Sequence, residues 1–531
     1  MRSSLKAALF APLLALGLGA TVFGCSLSNV SRSDCTSDAD CAAAFGAGSK
    51  CSAGFCSDPK GCTTGHDCRR IQGGGACVEG MCVSSIPTDP QCNSMDQPPE
   101  PPDLLSQPLV GADAPLIIGS IFALDSSREQ ALTQAVRLAV REINKDGLDG
   151  GKRLGVIFCD NGGEGASLTA EQRVALDQHA VDYLAGTLGV PYLVGPLTSG
   201  DAIQLVNQVK KKAYPTVIIG SSTTSPALTD LDDRLKPSDP YGLFWRTCPS
   251  DRIQGKVLAD SVISKDSTIT KVTVMYIHDA YGDGLSQAFQ DAYGLDKVAL
   301  VPYDDETVAV DAGGTPQNPS MLKALASTAD AKNGDAVLLI AHAGKARLIV
   351  DAMEGLSIAS KRFFFTDGTK DAATFLKPPA QPFVQTILKN AVGTAPASPS
   401  GLNYTAFEAN LLAEFQLAAS SASFLAQTYD ATYAGAFGVL YAARNGPAFD
   451  GLNVAEGMSR LSAGTLVDLS GPNGWTKGKG VLVKDGQIDI EGTSGHLQFD
   501  PATGEAPAAI EIWDVLPDLS DFHTQMVVQT G

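Results

Sequence analysis

The sequence predicts an α/β protein of two lobes, each a mainly parallel sheet flanked by helices, preceded by a small disulfide-rich region. Three patterns carry that expectation. Strand-like apolar runs alternate with stretches of helical period from Leu116 to about Thr247, as in a parallel sheet covered by helices. The alternation restarts at Val272–Ile277 and continues through strands at Ala336–Ile340 and Arg362–Phe365, which makes a second lobe. Eight cysteines crowd into residues 35–82, a Gly-rich segment too short to fold on an apolar core of its own.

Composition narrows the function. A chain of 531 residues with 44% apolar and 18% charged side chains has core enough for more than one domain. Its net charge of -19 would repel a phosphate backbone and excludes nucleic acid as a partner. Neither GxxxxGK[ST], HExxH nor GxSxG occurs, and the six histidines are scattered from His66 to His523, so no enzyme activity, cofactor or metal is expected.

At the amino terminus, Arg2 and Lys6 precede an apolar segment from Ala7 to Gly24, the pattern of an export signal over residues 1–24. Val22, Phe23, Gly24 and Cys25 resemble the bacterial lipoprotein cleavage box. That implies a lipid on Cys25, a tether over 25–34 and attachment to a membrane through the lipid. An uncleaved anchor is the competing reading, since the apolar segment is close to the ~20 residues that span a bilayer.

The cysteines repeat. Cys35, Cys41, Cys51 and Cys56 are separated by five, nine and four residues, and Cys62, Cys68, Cys77 and Cys82 by five, eight and four. The fillers correspond too, CTSDADC with CTTGHDC and CSAGFC with CVEGMC. In an oxidising compartment this predicts two independent disulfide modules, each open to three connectivities. Zinc, with His66 as an added ligand, is the alternative, opposed by export and by the lack of a C-x-x-C pair. Cys92, Cys159 and Cys248 are left, an odd number. A Cys159–Cys248 bridge is not expected, because a 2-1-3-4-5 sheet sets their strands on opposite sides. The run DQPPEPPD marks residues 83–115 as a semi-rigid Pro-rich linker.

The main domain opens with a strand at Leu116–Phe122. Ser126 and Glu129 form a capping-box pattern, Leu132, Val136, Val140 and Ile143 follow at helical spacing, and Gly147 stops the helix. A second strand, Leu154–Phe158, ends at Asp160. Two strand-loop-helix units then carry hydroxyls where each strand ends. Tyr192–Val194 leads through Gly195 and Pro196 to Thr198 and Ser199, and Thr216–Ile219 leads to Ser221, Ser222, Thr223, Thr224 and Ser225. Helix N-terminal N–H groups beside a serine hydroxyl suit a carboxylate, and ligands of open α/β sheets bind beyond the carboxyl ends of the strands. Each hydroxyl read singly is an ordinary helix cap.

After Ser199 and Thr224 come FWRTCPSDRIQG (244–255), IHDAYGDGLSQAF (277–289), DAVLLIAHAGKA (335–346), FFFTDG (363–368) and TYDATYAGAFGVLYAA (428–443). In order and spacing, over roughly residues 116–515, these resemble the type I periplasmic binding-protein fold, in its leucine-isoleucine-valine-binding branch. The resemblance implies lobe one at about 116–247 and 392–483 and lobe two at about 250–390 and 484–515. It further implies an antiparallel pair of His496–Phe499 with Ala509–Trp513, three crossings forming a hinge, and a tail over 516–531.

By the same resemblance, Ser199 and Thr224 bind the α-carboxylate of a ligand, with backbone groups of Ser222 beside them. Tyr281 takes the place of a cleft tyrosine, Asp367 faces the α-ammonium, and His342 falls near a second aromatic position. A zwitterion entering a closing cleft needs both charges matched, because an unpaired buried charge is costly. Read from the loops alone, Asp367 is a turn aspartate before Gly368 and Tyr281 a packed aromatic. The function implied is a lipid-anchored extracytoplasmic binding protein that captures an amino acid or similar small zwitterion for the membrane subunits of an ABC-type importer. The alternative is a cell-envelope interaction or sensory lipoprotein that uses the same fold to contact a protein partner.

Overall fold

The computed structural model describes residues 35–45, 50–52, 55–57, 61–92, 102–162, 168–311, 314–376, 382–397, 401–469 and 471–529. The expected export signal, Cys25 and the tether lie outside them. No helix among the described residues is long and apolar enough to cross a membrane.

The chain forms two compact units, residues 1–60 and 61–531, with one cysteine module in each. The sequence repeat is a structural repeat. In the first unit a helix, Asp38–Phe45, precedes a hairpin that sets Cys51 opposite Cys56. In the second unit a helix, Gly65–Gln72, precedes a hairpin that sets Cys77 opposite Cys82. Each helix start is organised by the aspartate before the second cysteine. Asp40 accepts from the backbone and hydroxyl of Thr36 at 2.8 and 2.7 Å, and Asp67 from those of Thr63 at 2.8 and 2.7 Å. Disulfides join Cys35 to Cys51, Cys62 to Cys77 and Cys68 to Cys82. Cys41 is also disulfide-bonded; the side chain of Cys56 lies outside the described residues.

The described linkages stay within each set of four, as two independent disulfide modules require, and the second module also packs on the main domain. His66 and Arg69 are buried against lobe one: His66 Nε2 lies 3.0 Å from Thr216 Oγ1, and Arg69 Nη2 donates to the Gly189 carbonyl at 2.6 Å. Gly65 permits the contact, since a Cβ there would sit 2.3 Å from the Leu188 carbonyl carbon.

Lobe one is a five-stranded parallel sheet. Strands β1 (Leu116–Phe122), β2 (Leu154–Asp160), β3 (Tyr192–Val194), β4 (Val217–Gly220) and β5 (Phe244–Arg246) lie in the order β2-β1-β3-β4-β5. All seven residues of β1 are buried, as both faces of a parallel sheet must be when helices cover it. Helices α1 (Ser127–Ile143) and α2 (Ser199–Lys212) follow β1 and β3.

The chain then crosses to lobe two through α3 (Asp251–Val257). Its strands are β6 (Val272–Ile277), β7 (Val298–Tyr303), β8 (Ala336–Ile340), β9 (Arg362–Phe365) and β10 (Val392–Pro396); α4 (Ala280–Tyr293) follows β6 and α5 (Ala343–Asp351) follows β8. A return to lobe one supplies the long buried helix α6 (Leu425–Ala443) and a parallel strand pair, β11 (Thr465–Asp468) with β12 (Ile488–Glu491). The last strands, β13 (Ile510–Val515) and β14 (Phe522–Val528), complete a lobe-two sheet of order β7-β6-β8-β9-β10-β13-β14.

Several expected boundaries move. β10 belongs to lobe two, pairing parallel with β9, so the return crossing comes after Ala397 and not at Val392. Residues 484–506 stay with lobe one, because Ile488, Ile490, Leu497 and Phe499 pack in its core. Residues 510–515 pair antiparallel with β10 and β14, not with His496–Phe499. The segment expected to be a tail is the edge strand β14. The described parts of 83–115 pack on lobe one, while most of the run DQPPEPPD lies outside the described residues. Cys92 is bridged to Cys159, Asp89 pairs with His179, Tyr183 donates to the Pro87 carbonyl, and Leu104 and Leu109 are buried. The strap uses two of the three leftover cysteines, and Cys248 remains free and buried.

At the crossings, fully buried Arg246 ends β5 and holds the hydroxyl loop in place. Its Nη1 donates to the carbonyls of Thr223 and Ser225, each at 2.9 Å, and Nη2 to Thr229 Oγ1 at 2.9 Å and to the carboxylate of Glu505. Glu505 lies on the third crossing, so one planar fork ties the first and third crossings to the loop after β4.

Candidate functional site

A cavity between the lobes collects residues from beyond the carboxyl ends of β1, β3, β4, β6, β8 and β9. Its lining includes Arg128, Leu197, Thr198, Ser199, Ser222, Tyr281, His342, Asp367, Gly368 and Phe424. Five of the six residues proposed from sequence as ligand contacts therefore meet in one place: Ser199, Ser222, Tyr281, His342 and Asp367.

The lobe-one wall is a helix start. Thr198 caps α2, its hydroxyl accepting from Asp201 N–H at 3.1 Å, which places Ser199 in the first turn, near the positive end of the helix. Ser199 Oγ accepts from Ser225 N–H at 3.1 Å, so the two hydroxyl loops are joined. Ser222 Oγ donates to the Leu197 carbonyl at 2.8 Å. Arg128, in the first turn of α1, brings a full positive charge to this wall, and its buried Nε has no hydrogen-bond partner. The lobe-two wall is acidic and aromatic. Asp367 Oδ1 accepts from Tyr281 OH at 2.9 Å and from Gln254 Nε2 at 2.8 Å. Tyr281 stacks on His342 with ring centroids 5.6 Å apart. Gly368 is required here, because a Cβ would lie 2.7 Å from the Ala341 carbonyl oxygen.

Burial pushes the Asp367 carboxyl up from its ordinary range, opposed by the bonds from Gln254 and Tyr281 and by the charge of Arg128. A cation placed beside it would favour its ionised form. Burial, and next the charge of Asp367, raise Asp251 well above the ordinary carboxylate range.

Thr224 is the exception among the sequence candidates. Its hydroxyl donates to Asp251 Oδ2 at 3.0 Å behind the cavity wall, and it is not among the lining residues. The reason is tertiary: Arg246, from the next strand, holds the carbonyls of Thr223 and Ser225, and Asp251 accepts the intervening hydroxyl toward the hinge. Sequence reading missed Arg128 and Phe424. Arg128 follows Ser126 and Ser127 beyond the end of β1, the same strand-end position that flagged the hydroxyl loops, and that rule would have found it. Phe424 carried no local signal: it precedes α6 with a left-handed φ of 73° and reaches the cavity only through the return crossing.

The receptor family ligand binding region matches residues 131–518. The chain is 28% identical over 239 residues to a chemotactic signal transduction system substrate-binding protein, BasB, of Halobacterium salinarum, covering 45% of this chain and 50% of that protein. It is 29% identical over 200 residues to a Leu/Ile/Val-binding protein homolog of Brucella melitensis, covering 37% of this chain and 47% of that protein. The chain thus spans about half the length of these curated relatives. The leucine binding protein LivK of Thermotoga maritima superposes with a TM-score of 0.57 at 16% identity, covering 78% of this chain and 99% of that one. Two lobes with mainly parallel sheets, three crossings and an interlobe cavity at the strand ends agree with these likenesses: the chain belongs to the receptor ligand-binding-region family and has the type I periplasmic binding-protein fold.

Proposed function

We propose that this protein is an extracytoplasmic solute-binding lipoprotein, anchored through Cys25, that captures an amino acid or similar small zwitterion between its lobes and presents it to an ABC-type importer. The observation that carries the reading is the opposition of charges in the cavity. Arg128 and the α2 start with Ser199 form a cationic wall, and Asp367, held by Tyr281 and Gln254, forms an anionic one. A zwitterion bridging the walls would satisfy both, with Leu197, Phe424, Tyr281 and His342 against its side chain. Ser222 contributes through its loop backbone, and Thr224 acts as a positioning residue through Asp251.

The cavity measures ≈ 30 Å³, about one water molecule's share of the liquid. Ser225 Oγ donates across the lobes to the Ala280 carbonyl at 2.5 Å. Entry of an amino acid therefore requires the lobes to part about the three crossings, and closure returns the bound charges to a dry environment. The similarity to BasB, which its name assigns to chemotactic signal transduction, favours a second reading: a closed, loaded form read by a sensory partner rather than a permease.

Thermal unfolding against a panel of amino acids tests the binding step. A ligand at ~100 times its Kd stabilises by about 2.7 kcal/mol. If neither amino acids nor amino-acid-like zwitterions raise the Tm, the zwitterion reading fails. A native mass spectrum of freshly purified protein identifies any solute retained.

A further inference from the structure

A second and larger cavity, ≈ 210 Å³, lies at the opposite end of β1, between the second cysteine module and the base of lobe one. It is smaller than the ~300–1,000 Å³ typical of sites for drug-sized molecules, so its occupant is small. Its walls are mostly apolar and include Leu109, Leu116, Leu440 and Phe449. Two cations face into it, Arg69 from the module and Lys152 from the turn before β2.

Neither cation is directly paired there among the described residues. Arg69 is 6% exposed, and its guanidinium donates to two carbonyls, Phe449 O at 3.3 Å and Gly189 O at 2.6 Å, while lying over the Phe449 ring. Among the described residues neither Arg69 nor Lys152 forms an ion pair, and Lys152 has no hydrogen bond. Burial, and next the charge of Arg69, weaken the hold of Lys152 on its proton. Two like charges held together at an apolar cavity are costly unless an anion joins them. Asp149 lines the cavity and the charge of Asp450 acts on Arg69, so the positive charge is partly offset, which suits a monoanion over a dianionic phosphate.

We propose that this cavity binds a small monocarboxylate with an apolar body, its carboxylate between Arg69 and Lys152 and its tail against Leu440 and Phe449. The site exists only where the module is docked, so the ligand also bridges the module to lobe one. It is separate from the interlobe cavity and does not depend on what that cavity holds.

The test is titration calorimetry of the full chain with sodium octanoate, using octanamide as the uncharged analogue. One saturable site is expected. Lys152→Met should weaken octanoate binding by about 10-fold or more, the worth of one bond to a charged group, and octanamide should be weaker by a similar factor. Ala443→Phe, at a residue lining the cavity, should abolish binding, and Asp367→Ala in the interlobe cavity should leave it unchanged. Should Ala443→Phe fail to fold, Lys152→Met decides alone. The proposal is overturned by absence of saturable heat at about 10 mM octanoate, by unchanged affinity in Lys152→Met, or by loss of binding in Asp367→Ala.

Discussion

Removing the Asp367 carboxylate separates ligand binding from folding. Asp367 is 4% exposed and accepts two hydrogen bonds, yet neither donor is stranded by its loss. Tyr281 OH still has Thr366 Oγ1 at 2.8 Å, and Gln254 Nε2 still has the Thr394 carbonyl at 3.3 Å. The ligand-free protein should therefore keep its fold in Asp367→Ala. On the zwitterion reading, what is lost is the counter-charge to a buried ammonium. Truncating one member of a buried, hydrogen-bonded charge pair costs about 2 to 5 kcal/mol, so affinity should fall by at least ~30-fold. Asp367→Asn keeps the shape and offers only a neutral acceptor, and it should fall in the same range. Stability should move the other way. A carboxyl whose folded pKa is raised by burial is bound to a proton more firmly folded than unfolded, so its contribution declines as pH rises above the ordinary carboxylate pKa. Asp367→Asn removes that decline, and the ligand-free variant should match or exceed the parent in Tm at pH 8. Calorimetry with the amino acid that the parent binds, alongside melting of the ligand-free proteins, reads both quantities. Near-parental affinity in both variants would refute an ammonium at Asp367, and with it the zwitterion assignment.

Arg128→Ala should weaken binding of the same ligand by ~10-fold or more, and Arg128→Lys should recover part of the loss, because a point charge replaces a planar fork; equal affinity in all three proteins would remove Arg128 from the carboxylate wall. In lobe one, burial, and next the charge of Asp201, push Asp177 up to about 9. The folded state thus holds a proton the unfolded chain has lost. Stability should fall as pH rises from about 4 to 9, by up to ~1.4 kcal/mol per pH unit, and Asp177→Asn should flatten that slope in urea unfolding at pH 5, 7 and 9. The Cys92–Cys159 bridge closes a 67-residue separation, for which the chain-entropy relation gives about 4 kcal/mol; the double serine variant should melt lower by a corresponding amount, and reducing agent should erase most of the difference.

What could be read along the chain was whatever depends on neighbours in sequence. The strand of Leu116–Phe122 and the hydroxyl loops after β3 and β4 follow from period, capping and short connections, which are local, whereas the lobe-one order 2-1-3-4-5 was expected as a common order of open α/β sheets. The repeat of the cysteine modules was equally legible, since its Thr and Asp positions recur with the cysteines. Long-range pairing was not. Whether β10 joins lobe two, whether residues 484–506 stay with lobe one, and whether β14 is a tail or an edge strand depend on which sheet edge is open when the chain returns, and nothing in those segments records it. The same holds at the cavity. Ser199 and Asp367 sit at strand ends and could be placed by topology, whereas Thr224 is turned away by Arg246 and Glu505, and Phe424 enters through a crossing. Cys92 found Cys159 instead of remaining free because the strap of 83–92 packs beside the end of β2. Chain-local chemistry determined the elements and the kind of site; tertiary contacts decided which side chains face the cavity, because a side chain's direction there is set by partners that lie up to hundreds of residues away in the sequence.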